Sequence, residues 1–290
     1  MPSKIILVTG ANGQLGNELR ILHERYPQYQ FVFAGREELS IDNEEEVRKY
    51  FARLHPVVCI NCAAYTAVDK AETEREQAKR INADAVGFLA AASHEHNSLF
   101  IHISTDYVFD GNSASPYKED HQTNPVNQYG LTKLFGEKLA MEENPEAIII
   151  RTSWVYSTFG KNFVKTMIRL MNEKESINVV NDQVGSPTYA ADLAEAIMQI
   201  VLYTSQQTVA GGVFHFSNQG ATSWYEFALK IKELIGSNCR VNPIPTSQFP
   251  TPATRPNFSL LDTAKIQSTF KLQIVDWKES LQRCISRLEN

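Results

Sequence analysis

Apolar and polar positions along this chain change period in a regular alternation. Lys4–Thr9 is a short, mostly apolar run suited to a strand buried on both faces. Glu18–Leu22 then opens an amphipathic helix. Phe31–Ala34 repeats the strand signal, and an acid-first helix follows from Asp42 to about Leu54. Val57–Asn61 reads as a third strand, Ile81–Ser93 as a long buried helix and Leu99–Ile103 as a fourth strand. Asn127 is placed to cap a helix over Tyr129–Glu143, and Ala147–Arg151 forms a fifth strand. Strand and helix in strict turn predict a parallel, doubly wound α/β sheet.

Beyond Arg151 the pattern loosens. Helices are expected over Asn162–Met171, Ala190–Leu202, Ser223–Ile235 and Trp277–Leu288, with strands at Ile177–Val180 and Gly212–Phe216. The Gly-, Ser-, Pro- and Asn-rich Asp110–Asn127 reads as a loop, and Asn242–Asn257 with its five prolines as mostly irregular, while the stretch from Tyr65 through Arg80 is polar and partly acidic. There are no internal repeats.

Composition narrows the class. With 290 residues, 43% hydrophobic and 21% charged, the chain can build a proper core. A net charge of -5 argues against a general nucleic-acid surface. The Met1–Val8 start is too short in apolar length for a signal peptide, and no later run can span a bilayer. A cytoplasmic protein with no membrane partner is expected. Cys59 and Cys62 have metal-type spacing, but they lie in a buried strand with no second pair and no nearby His. Two buried thiols are the expectation there.

The segment between the first strand and first helix carries chemistry. Gly10-Ala11-Asn12-Gly13-Gln14-Leu15-Gly16 has the spacing GxxGxxG. Gly10 permits a tight turn, Gly13 lets backbone approach a pyrophosphate at the helix N-terminus, and Gly16 lets helix pack on strand. The second strand ends in Gly35-Arg36, where an Arg suits the 2′-phosphate of NADP. Residues 1–150 therefore read as an NADP-binding Rossmann-type domain. Residues 151–290 read mainly as a smaller α/β substrate-binding domain, with some elements within 160–240 returning to the first.

Ser104-Thr105-Asp106 sits at the carboxyl end of the fourth strand, where open parallel sheets bind ligands. Tyr129 and Lys133, four apart, share one helical face. An ammonium near a phenol favours phenolate, so Lys133 is expected to lower the Tyr129 pKa and fit it for acid–base work near neutrality.

The set Gly10-x2-Gly13-x2-Gly16, Asn61–Tyr65, Ser104–Phe109 and Tyr129-x3-Lys133 resembles the extended short-chain dehydrogenase/reductase superfamily. More closely, it resembles the dTDP-4-dehydrorhamnose reductase family. The finer cues are Asn61–Asp69, Ser104–Gly111, Arg151–Tyr156, Asn181–Thr188 and Ala253-Thr254-Arg255-Pro256. The resemblance implies NADPH, with NADH as the alternative, delivering hydride to the C4 keto carbon of a dTDP-linked 6-deoxy sugar. It implies Tyr129 as proton donor, Lys133 on the nicotinamide ribose, and Thr105 on the reacting oxygen. Only one of Ser104 and Thr105 can face the site from a strand. The cofactor set it implies is Gly10, Asn12, Gly13, Gln14, Leu15, Gly16, Arg36, Asp42 near the adenine, Ala63, Ala64 and Tyr65, with Tyr129 and Lys133. Around the sugar nucleotide it places Thr105, Asp106, Tyr107, Trp154 and Arg255, the last toward the diphosphate. Some members dimerise through magnesium held by glutamates. Glu18 matches one such position, but Tyr189–Asp192 offers no matching Glu. No metal is carried over, and a monomer or a metal-independent homodimer is left open. Two rivals use the same residues: a sugar-nucleotide 4-epimerase, and an NADP-binding regulatory subunit like that of methionine adenosyltransferase.

Overall fold

A computed structural model describes residues 4–289. Met1–Ser3, on which part of the N-terminal reading rests, and Asn290 lie outside the described residues. The centre is a six-stranded sheet. Its five leading strands are β1 (Lys4–Thr9), β2 (Tyr29–Ala34), β3 (Val58–Asn61), β4 (Leu99–Thr105) and β5 (Ile148–Thr152). They lie in the order β2-β1-β3-β4-β5, and the Gly212–His215 strand adds beyond β5. All neighbours are parallel.

Both faces of the sheet are buried, which explains the near-continuous apolar runs. Ile6, Val8, Ile60, Ile101, Ile148 and Ile150 pack on the Gln14–Leu22 and Ala190–Thr204 helices. The intervening Leu7, Cys59, Phe100 and Ile149 pack on the opposite layer with Val47, Phe51, Leu89 and Ala140. Alternation with period two thus serves two cores at once. A separate core of Val164, Met167, Ile177, Phe227, Trp277 and Leu281 holds the second half together. The Ala264–Phe270 helix, absent from the sequence reading, closes the first core through Ile266 and Phe270.

Asn242–Asn257 is mostly irregular, but its first residues belong to the Arg240–Ile244 strand, which pairs in parallel with Ser176–Val180. Pro243 is tolerated since that sheet has only two strands, so one edge needs no donor. The polar stretch before Arg80 contains short helices at Val68–Ala71 and Arg75–Lys79. The long buried helix then begins with a π turn over Arg80–Asp84.

That turn sets the position of the Gln128–Glu143 helix. Asn82 is fully buried. Its side-chain oxygen accepts from Tyr65 N at 2.8 Å, and its amide donates to Tyr65 O and to the Thr132 hydroxyl. Gly136 lies against the Asn82 backbone so closely that a Cβ would sit 2.0 Å from the carbonyl oxygen. The opposite side of the same helix is anchored by Glu137, which takes two guanidinium nitrogens of Arg151 on β5 and the Ser104 hydroxyl of β4. Both members of that ion pair are buried. A Gly136→Ala variant should therefore lose about 1–3 kcal/mol or more of unfolding free energy, because backbone must move to admit the methyl. Urea denaturation against the parent chain measures this, and an unchanged midpoint would contradict the packing described.

Candidate active site

The strand order reverses between β1 and β3, and the crevice at such a reversal is where doubly wound sheets take ligands. A cavity of about 890 Å³ opens there. The glycine loop forms one wall. Gly10 has φ +66°, and a Cβ on it would meet Ala63 N at 2.5 Å. A side chain at this point would strike the backbone after β3, so only glycine lets the loop lie against Cys62 and Ala63 at the wall of the crevice. Gly16 is packed beneath: its Cβ would meet the Gly10 carbonyl at 2.6 Å.

Most of the residues named from sequence converge on this cavity. Gly10, Asn12, Gly13, Gln14, Leu15, Arg36, Asp42, Ala63 and Ala64 line one end. Thr105, Asp106, Tyr107, Tyr129, Lys133 and Trp154 line the other. Arg36 is exposed. Asp42 already binds Arg80 at 2.8 Å and accepts from the Ser40 hydroxyl. Gln14 ties the loop to the second half, donating to Val155 O and accepting from Asn162.

Three named residues stand apart from the cavity wall: Gly16, packed beneath the loop, Tyr65 and Arg255. Tyr65 has its backbone bracketed by Asn82 and its hydroxyl donated to Glu74 at 2.6 Å, while its neighbour Thr66 lines the cavity. Arg255 is taken by Asp69 through two hydrogen bonds of 3.0 and 2.9 Å. Sequence reading also passed over Trp224, Lys161, Gly160, Cys62 and Val68 of the lining. Trp154, at φ +48°, stacks on Trp224 with centroids 3.6 Å apart. A lone Trp in an amphipathic helix gives no sign of such a partner.

At the reacting end, Asn127 caps the helix by accepting from Gly130 N, so Tyr129 and Lys133 project from its first turns. Ser104 turns inward to Glu137, and Thr105 faces the cavity beside Tyr129. The Thr105 oxygen accepts from Tyr107 N at 3.2 Å and donates to Asp106 Oδ1 at 3.0 Å. Tyr107 meets the Tyr129 ring edge to face at 5.7 Å.

The electrostatics correct one expectation. Tyr129 is not acidified: burial pushes its phenol up to about 12, against the Thr105 hydroxyl. The Lys133 nitrogen points elsewhere, donating to Ile103 O at 2.7 Å and lying 3.2 Å from His102 Nε2. Burial takes Lys133 down to about 8. A lysine nitrogen directed away from the phenol cannot stabilise a phenolate as a contacting ammonium would.

Asp106 is the other perturbed group. Burial lifts its carboxyl to about 6, partly offset by hydrogen bonds from the Ser259 and Thr105 side chains. Ser259 approaches without full hydrogen-bond geometry, which leaves Oδ2 unpaired. An unfolded aspartate titrates near 4, about two units lower. Between those values the folded chain holds the extra proton, so this carboxyl removes stability as pH rises from about 4 to about 6. Asp106→Asn should gain stability over the parent through that window, levelling off at about 2–3 kcal/mol. Denaturation in a pH series tests this; a difference that stays flat from pH 4 to 7 would contradict it.

Comparison with known proteins extends the geometry. Residues 4–290 match the RmlD substrate binding domain family. The dTDP-4-dehydrorhamnose reductase of Aggregatibacter actinomycetemcomitans is 41% identical over 284 residues, covering 96% of this chain and 97% of that one. A dTDP-4-dehydrorhamnose reductase from Clostridium acetobutylicum superposes with a TM-score of 0.94 at 40% identity, covering 99% of this chain and all of the other. The Bacillus anthracis enzyme, solved in complex with NADP, gives 0.92 at 40% identity over 98% and 99% of the two chains. The glycine crevice, the Tyr129–Lys133 helix and this full-length likeness agree: the chain belongs to the RmlD substrate binding domain family of dTDP-4-dehydrorhamnose reductases.

Proposed function

We propose that this chain reduces the C4 keto group of dTDP-4-dehydrorhamnose with NADPH, giving dTDP-L-rhamnose. The observation that carries the proposal is one cavity holding both the glycine crevice and the Thr105/Tyr129/Lys133 group. Support for the activity comes from full-length relatives of that name and from the NADP complex of a 40% identical structure. Bound NADPH supplies the hydride. The loop fits its pyrophosphate because Gly13, at the N-cap of the Gln14–Leu22 helix, carries no side chain over the cavity. Arg36, exposed at the cavity rim, is suited to a 2′-phosphate.

The roles of the side chains follow from where they sit. Tyr129 donates its proton to the C4 oxygen as negative charge develops there. A phenol held near 12 remains protonated at neutral pH, the state a donor needs. Thr105 positions that oxygen with its hydroxyl, once the bond to Asp106 is exchanged for one to the substrate. Asp106 and Tyr107 flank the sugar, and the Trp154–Trp224 stack borders the same cavity. Lys133 orients the nicotinamide ribose. Arg255 stands near Tyr107 and reaches a substrate diphosphate only by releasing Asp69.

Residues 4–150 with the Ala190–Thr204 helix, the Gly212–His215 strand and the Ala264–Phe270 helix form the cofactor half in this reading, and the other C-terminal elements, gathered on the second core, form the sugar-nucleotide half. Among the described residues no helix is long and apolar enough to cross a membrane, and we place the reaction in the cytoplasm.

Tyr129→Phe tests the proposal. Removal of the proton donor should cut kcat by about 10²–10⁴-fold, while NADP affinity stays within a few-fold. Turnover is followed by loss of reduced-nicotinamide absorbance with dTDP-4-dehydrorhamnose, and binding by calorimetry. Full turnover in the variant would remove Tyr129 from the mechanism.

A further inference from the structure

A row of buried polar side chains crosses the sheet beneath the cavity and ends on Lys133. Thr9 of β1 donates its hydroxyl to Asn61 Oδ1 at 2.7 Å. The backbone N–H of Ala63 donates to the same oxygen at 3.1 Å. A backbone N–H can only donate, so the Asn61 amide cannot be turned the other way round. Its nitrogen therefore faces His102 Nδ1, 3.0 Å away, and donates to it. His102 Nδ1 is then an acceptor, and the neutral imidazole carries its proton on Nε2. That Nε2–H lies 3.2 Å from Lys133 Nζ. An ammonium has only donors, so it would meet a donor there; a neutral amine offers a lone pair.

We propose that His102 is a positioning residue: through Asn61 it is fixed as a donor, and it thereby favours the neutral amine of Lys133 in the cofactor-free chain, so that this lysine loses its proton more readily than an ordinary one. The surroundings are consistent. Ile103 O on β4 takes one amine hydrogen. Glu137, one turn further along the helix, favours the charged form, but its carboxylate is already neutralised by Arg151 of β5. Tyr129 on the same helix is held as a neutral phenol, and burial holds the thiol of Cys62, after β3, neutral as well. Asp106 beyond β4 is turned to Thr105. Thr9 of β1 carries no charge. Burial lowers both Lys133 and His102, as two groups sharing one proton-poor contact require.

The consequence rests on the reductase reading above. An anionic dinucleotide in the crevice favours the ammonium, so between the free and bound midpoints Lys133 takes up a proton from solvent onto the Nζ lone pair when the cofactor enters. No other bond is made or broken.

Lysine carbon-13 NMR of the full chain, with Lys133 assigned from Lys133→Met, tests this. The Lys133 resonance should titrate near pH 8 in the free protein. It should rise by about one unit or more with NADP bound. His102→Gln puts a carbonyl acceptor opposite Nζ and should raise the free-protein midpoint by a similar shift. Asn61→Asp reverses the imidazole tautomer and serves as the second variant if the first does not fold. A wild-type midpoint above about 10, the ordinary lysine range, would overturn the proposal. So would a midpoint unmoved in whichever variants fold. The free-protein titration needs no turnover, so a chain that titrates near 8 yet reduces no sugar refutes the reductase reading and leaves the His102 assignment standing.

Discussion

A lysine only 1% exposed must find its hydrogen-bond partners inside the protein, and much of this fold answers that requirement. Lys133 has almost no contact with water, so β4 supplies the Ile103 carbonyl and the His102 ring. His102 is itself fully buried inside an otherwise apolar strand and needs Asn61. Asn61, equally buried, needs Thr9 and Ala63 N. Each polar group is satisfied by one on the next strand, and the row runs from α-helix to β1 across the point where strand order reverses. The same row places Ala63 against Gly10, since Asn61 holds the Ala63 N–H. Packing the reacting helix and shaping the dinucleotide crevice are thus one hydrogen-bond problem with one solution.

A chain of this kind works only if its ends cannot shift. Gly136 brings the Gln128–Glu143 helix into backbone contact with the π turn, and the buried Arg151–Glu137 pair ties it to β5. An ion pair at this burial adds little net stability over well-packed apolar side chains. Its geometry is specific, however. Glu137 also receives Ser104, which fixes the rotation of the strand end so that the following residue, Thr105, turns to the cavity. The alternation of a strand would allow either hydroxyl to face inward; a carboxylate on the helix decides which.

The doubly wound sheet and the glycine crevice were legible because their signals are local. Apolar runs of strand length, Gly10 at its turn and Asn127 at its cap each act within a few residues. Elements with mostly long-range causes were not legible. The Ala264–Phe270 helix is set by Ile266 and Phe270 reaching the first core. The Arg240–Ile244 strand survives its proline because of where Ser176–Val180 lies. In the site, the pairing of Tyr129 with Lys133 on one helical face was readable, but the direction of the lysine was not. Spacing along a helix says which side chains are neighbours; it does not say that His102, from another element, has claimed the amine. Tyr65 and Arg255 illustrate the same gap, since Glu74 and Asp69 hold them by contacts that their motifs do not encode.

Several unfavourable features meet at the cavity. Asp106 carries an unpaired buried oxygen, Trp154 holds a left-handed backbone with a bulky side chain, and Tyr129 and Lys133 are both moved away from their solution acidities. A left-handed, non-glycine residue alone costs about 1–3 kcal/mol. The apolar side chains of the sheet around them are buried on both faces. Concentrated strain of this sort persists only where surrounding structure over-determines it and where a ligand gains from it. A sugar nucleotide that paired with Asp106 and displaced the Thr105–Asp106 bond would remove part of that cost on binding. The free chain is thus held slightly wrong in the groups that substrate and cofactor would set right, and the stability stored in the two apolar cores makes that affordable.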